Sequence, residues 1–178
     1  MSFNLVAVDD FFNVPERVYE LFNTSSIDRL ATENIDLKIK EIFNDENLNV
    51  NSLKVHSFED GEFKCINFTE EPWSIISYLG DDDYSNTRIS LYRHKSTGLT
   101  TPPNEMVLKK IGFSSFMEWK NELFNRDRAN LEMWEITTQI SFEYNRAVLL
   151  NTSNLFYRIE NVQTDNSSYY KKITFDVE

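Results

Sequence analysis

The sequence predicts an α+β chain whose main body is β, and three observations carry that reading. Before residue 50 apolar side chains recur at helical spacing, whereas from residue 52 onward they recur at every second position. Short runs of this second kind follow one another, separated by turn residues. Aromatics reach 14%, with 14 Phe and 8 Tyr, a composition suited to pleated, half-buried surfaces. Many short strands behind a helical N-terminal layer imply a β-sandwich or barrel. Gly and Pro number only 4 each, and neither a repeat nor a linker divides the 178 residues. One domain is expected, with an N-terminal strand and helices in 1–50 and the β core in 51–178.

The elements follow in order. Residues 3–8 read as a short strand, and Pro15 opens a helix over 15–23 whose stripe is Val18, Leu21 and Phe22. A second helical pattern covers 35–43, with Ile35, Leu37, Ile39, Ile42 and Phe43. Phe63, Cys65, Asn67 and Thr69 share one face of an expected strand, with Lys64, Ile66 and Phe68 on the other. The apolar run 73–79 suits a strand buried on both faces. Strands are expected at 88–94, 136–144, 146–150, 155–160 and 169–177, and a loop at 96–104 around Pro102 and Pro103. Ser115 and Glu118 match a capping box, so a helix is expected over 115–126 as an excursion between strands. Strict alternation from Ile136 through Thr138, Ile140 and Phe142 to Tyr144 is the clearest strand signal.

Charge and residue counts exclude several functions. With 18 Lys and Arg against 29 Asp and Glu the formal charge is −11, the reverse of what displacing counterions from nucleic acid requires. One cysteine, Cys65, allows neither an internal disulfide nor a Cys-cluster zinc site, and two histidines, His56 and His94, cannot supply a histidine-rich centre. No run approaches the ~20 apolar residues of a membrane span, and residues 1–10 lack the basic start of a signal peptide.

Three segments resemble a known family. Val6-Ala-Val-Asp-Asp-Phe-Phe-Asn-Val-Pro15 looks like the opening strand and helix of Fe(II)/2-oxoglutarate oxygenase-like domains, in a branch common in marine bacteria and their phages. Trp73 to Leu79 with Ser90-Leu-Tyr-Arg-His-Lys-Ser-Thr-Gly98 is similar to that branch's central strand pair, and Tyr144-Asn-Arg-Ala-Val-Leu-Leu150 to its next marker. The resemblance implies a double-stranded β-helix, or jelly roll. It also implies a facial triad for Fe(II), a His-X-Asp pair on one strand face and a distal His. Here the His-X-Asp position reads Asn67-Phe68-Thr69, and the distal His falls at Phe156 or Tyr157. The 2-oxoglutarate-binding Arg aligns near Lys171 or Lys172, and Lys171 is in register with Ile173, Phe175 and Val177. None of the three metal-ligand positions carries an imidazole or a carboxylate.

Each remaining feature has an ordinary reading beside its functional one. Asn67 and Thr69 suit hydrogen-bonded interior replacements. Arg93 and His94 could join Lys171 and Lys172 in an anion-binding patch, but ordinary surface charges on a strand explain them too. Asp81–Asp83 lack the spacing of a calcium loop and read as a turn. Cys65 reads as a small buried hydrophobe.

The expectation is a non-catalytic structural or interaction protein on a degenerate oxygenase scaffold, without cofactor and without nucleic-acid or membrane partners. It would be a tailed-phage virion component, in the virion or the host-cell cytoplasm, bound to other protein subunits or to copies of itself. One alternative is an atypical oxygenase using Tyr157, His94 or Asp9–Asp10. Another is a small-anion-binding module holding its ligand through Lys171.

Overall fold

Strand alternation and helix periodicity sort the side chains into three apolar layers. The computed structural model of the chain describes residues 3–23, 29–57, 63–69, 72–80, 87–160 and 170–177. Strand β1 (Leu5–Val8) leads into helices α1 (Pro15–Asn23) and α2 (Arg29–Phe43), then β2 (Val50–Ser57), β3 (Trp73–Tyr78) and β4 (Arg88–His94). A helical insert follows: α3 (Glu105–Ile111), α4 (Phe116–Trp119), a π-helical stretch Lys120–Phe124 and a last turn α5 (Asn125–Asp127). Strands β5 (Trp134–Ser141), β6 (Ala147–Leu150), β7 (Tyr157–Glu160) and β8 (Tyr170–Val177) complete a β-rich α+β fold.

All strand pairs are antiparallel. One sheet runs β1-β6-β3-β8-β2 and the other β5-β4-β7. The pairing is nested: β4 with β5, β3 with β6, the isolated bridge Asn67↔Tyr157, and β2 with β8. Such nesting is a long hairpin rolled up so that its two arms alternate between the sheets.

The outer face of the five-stranded sheet carries Trp73, Ile75, Ala147, Leu149, Ile173 and Phe175 and is covered by Ile35 and Ile39 of α2. Burying each Ile side chain contributes about 1.5–3 kcal/mol, which explains why α2 is held despite a Leu37 that faces solvent. Between the sheets lie Ile76, Tyr78, Val148, Leu150 and Tyr170 from one side and Ile89, Leu91, Tyr157 and Ile159 from the other. The far face of the smaller sheet is roofed by the insert, through Leu108, Trp119 and Phe124 against Ile66, Tyr92, Trp134 and Phe156.

Four expectations need correction. Residues 63–69 form no strand beyond the single bridge at Asn67. Their backbone bonds go to three segments: Ile66 N–H to Arg128, Asn67 to Tyr157, and Thr69 N–H to Thr152. Strand β5 starts at Trp134 and ends at Ser141, and its alternation is broken. Leu91 pairs with Thr138 and Tyr92 with Ile136, so Thr137 is an extra bulge residue and Ile136 lies on the face opposite Thr138 and Ile140. The second helix begins at Arg29 rather than 35. Helix α3 carries no expectation from the pattern; Asn104 caps it, accepting from Val107 N–H at 3.0 Å, and Gly112 ends it at φ 91°. The expected cap at Ser115 accepts from Glu118 N–H at 3.2 Å, but the Glu118 carboxylate takes the N–H of Ser114. Asp81–Asp83 lie outside the described residues.

Candidate functional site

Two of the positions singled out by the sequence, Asn67 and Tyr157, meet at the isolated bridge. Ile66 and Phe68 turn to the insert, which puts Cys65, Asn67 and Thr69 on the opposite side, with Tyr157. Asn67 and Tyr157 exchange backbone hydrogen bonds of 2.8 and 3.0 Å, so their side chains are cross-strand neighbours. Two residues on, Thr69 Oγ1 donates to Thr152 Oγ1 at 2.8 Å, and Thr152 also bonds Ser74 Oγ at 3.0 Å. A hydroxyl chain therefore ties the 67–69 segment and the loop after β6 to β3.

Asn67 is engaged at both ends of its amide. Nδ2 donates to the Cys65 carbonyl at 2.9 Å, and Oδ1 accepts from Arg128 Nη2 at 2.8 Å. The same Nη2 lies 2.8 Å from Cys65 Sγ, and the guanidinium carbon sits 5.6 Å from the Phe124 ring centroid. Arg128 follows the last turn of the insert, 61 residues from Asn67 in sequence. No spacing rule connects them; only the folded insert does.

These residues do not fit a ferrous ion. A facial triad needs two imidazoles and one carboxylate with free lone pairs. Positions 67, 69 and 157 offer an amide bonded to a guanidinium, a hydroxyl bonded to a hydroxyl, and a phenol, and Phe156 points into the insert cluster instead. Among the described residues no three His, Cys, Asp or Glu side chains come together.

The cationic positions are spread apart. Lys172 is buried on the inter-sheet face, in register with Tyr170 and Thr174 and paired with Ile76. Lys171 pairs with Ser77 and shares the register of Ile173 and Phe175, which belong to the α2-covered layer; its side chain lies outside the described residues. Lys172 is thus the lysine on the inter-sheet face. Arg93 is exposed and paired with Glu135 at 2.5 Å. His94 is no surface residue. It is 1% exposed on the insert-covered side, with Nε2 3.1 Å from Asp127 Oδ2, Nδ1 2.9 Å from Thr97 Oγ1, and its ring against Trp134. Burial holds the His94 imidazole below its usual pKa, opposed by the bond to Asp127. Tyr157 and His94 face opposite sides of the sheet, and Asp9 is an exposed partner of Arg146. His56 pairs with Lys172 through its backbone, and its side chain is outside the described residues.

Neither a protein-family model nor a curated protein matches the chain. Among solved structures it is similar to a novel N-substituted L-amino acid dioxygenase in complex with alpha-KG from Burkholderia ambifaria AMMD, with 9% identity and a TM-score of 0.37. The match covers 91% of this chain and 66% of that one, so the chain spans just under two thirds of its length. Among the described residues no helix is long and apolar enough to cross a membrane.

Proposed function

We propose that this chain is a non-catalytic structural or interaction protein on a degenerate 2-oxoglutarate oxygenase scaffold, and that it serves as a component of a tailed-phage virion. The nested strand pairing supports a double-stranded β-helix, because rolling one hairpin is how that fold is made. The observation that carries the non-catalytic reading is the state of the ligand positions. Asn67 and Thr69 spend their side chains on Arg128, Cys65 and Thr152, and Tyr157 packs in the inter-sheet core. The virion role rests on the branch the sequence resembles, on the −11 charge that favours protein over nucleic-acid partners, and on the wide use of jelly rolls in capsids. Quantitative proteomics of purified particles tests it: the chain is expected at stoichiometric levels, and its absence rejects the virion role.

A second reading, a small-anion-binding module, is favoured by Lys172, a buried lysine in register with Tyr170 and Thr174 on the inter-sheet face. A thermal-shift series with 2-oxoglutarate, succinate, Fe(II) and Mn(II) separates the two. A ligand at 100 times its Kd stabilises the fold by about 2.7 kcal/mol, and the structural reading expects no shift from any of the four.

A further inference from the structure

We propose, on the reading of this scaffold as a degenerate metal centre, that Arg128 is the cation of the site: its guanidinium has taken the donor at position 67 and keeps divalent ions out. Three observations lead there. Arg128 is tied to the 65–67 segment twice, by its carbonyl, which accepts from Ile66 N–H at 2.8 Å, and by Nη2, which donates to Asn67 Oδ1 at 2.8 Å. Its charge is met by neutral partners, an amide oxygen, a thiol sulfur and the face of Phe124. Among the described residues no carboxylate pairs with it, and the adjacent Asp127 is committed to Arg126 and His94. Oxygen, sulfur and a π face around one positive group are the surroundings of a bound cation, supplied here by the chain itself.

The exclusion follows from chemistry. The Asn67 amide cannot turn over to free its oxygen, because Nδ2 would then face the guanidinium and Oδ1 the Cys65 carbonyl. An arginine cannot yield by losing its proton, as a lysine or histidine could. A divalent ion near position 67 would therefore meet both an occupied donor and a fixed like charge.

The backbone still suits ligands: Asn67 and Tyr157 are bridged, and Thr69 lies two residues on along the same face. The test compares the variant Asn67→His/Thr69→Asp/Tyr157→His with the same variant carrying Arg128→Met. Co(II) binding is followed by visible absorption and equilibrium dialysis, and folding by circular dichroism. Removing Arg128 is expected to tighten Co(II) by about tenfold or more; equal affinities in the two would overturn the proposal. Should the three-ligand chains not fold, the two-imidazole pair Asn67→His/Tyr157→His, with and without Arg128→Met, reads the same ratio, and equal affinities there overturn the proposal likewise. The non-catalytic reading fails separately, if the native chain takes up iron and releases succinate from 2-oxoglutarate.

Discussion

His94 Nε2 lies 3.1 Å from Asp127 Oδ2, and both side chains are almost wholly enclosed. The pair joins the end of β4 to the last turn of the insert. The ionised Asp127 carboxylate can only accept, which puts a proton on His94 Nε2 facing it, and leaves Nδ1 to accept from Thr97 Oγ1 at 2.9 Å. Arg126 closes the network with bonds of 2.7 and 2.9 Å to the carboxylate.

Removing either partner leaves the other buried and short of a bond. His94→Ala and Asp127→Asn are each expected to cost about 1–3 kcal/mol, read from urea denaturation midpoints. The double variant is expected to cost less than the sum of the two, because the second change removes a group already stranded by the first.

The same pair gives stability a pH dependence. Burial holds the folded-state pKa of His94 below 6.5, so the unfolded chain binds more protons in the window between the two values. Stability is therefore full above about pH 6.5 and falls as pH drops through that window. Asp127, kept low chiefly by Arg126, adds stability above its ordinary 3.8 that is lost only as pH falls through its lower folded value. Unfolding free energies between about pH 7.5 and 5 should slope in the native chain and flatten in His94→Gln; an unchanged slope would assign it to other groups.

Tyr92 titrates in the opposite direction. Desolvation first, and then the hydrogen bond to Glu160, push its phenol up to about 12. The folded chain thus binds more protons than the unfolded one between about 10 and 12, and stability falls as pH rises through that interval. Ultraviolet titration of Tyr92→Phe should lack one tyrosine titrating near 12, and the variant should show a shallower alkaline loss of stability.

Much of the fold was legible because period alone decides it where one face is buried. Trp73–Tyr78, Arg88–His94 and the capped helix after Ser115 appear where their patterns put them. At 136–144 the same reasoning misled: the bulge at Thr137 turns Ile136 to the other face, and an apolar residue in step on paper is out of step in space. For Lys171 the register with Ile173 and Phe175 was legible, but alternation fixes which residues share a face and not which face the second sheet covers. The candidate site was half legible. Asn67 and Tyr157 come together as spacing requires, whereas Arg128 and Thr152 reach Asn67 and Thr69 from the insert and a loop, and contacts across 61 and 83 residues leave no local signal.

Core packing of the helical layer predicts a further cost. Ile39 is fully buried between α2 and the five-stranded sheet. Ile39→Ala is expected to lose about 2–5 kcal/mol, the removed methyl groups plus the cavity they leave, whereas Leu37→Ala on the exposed face should change stability by less than about 0.5 kcal/mol.

Asn145 offers a test in which strain and hydrogen bonding predict opposite signs. Its backbone sits at φ 58°, and its side chain takes both polar groups of Phe12, accepting from N–H and donating to C=O at 2.9 Å each. Its own carbonyl accepts from Phe11 N–H at 3.0 Å, so one residue pins the 11–12 segment to the start of β6. Asn145→Ala removes both side-chain bonds and keeps a Cβ in the left-handed region without the polar side chain that lets asparagine tolerate it, for an expected loss of about 2–5 kcal/mol. Asn145→Gly removes the same bonds but tolerates the conformation. Were hydrogen bonding the whole effect, Gly would be the worse of the two by about 0.4–1 kcal/mol, through the greater freedom of its unfolded chain. With the φ constraint included, Gly is expected to be the milder substitution by about 1 kcal/mol. Denaturation midpoints for the two variants decide it, and a glycine chain less stable than the alanine chain would show that backbone strain does not govern this corner.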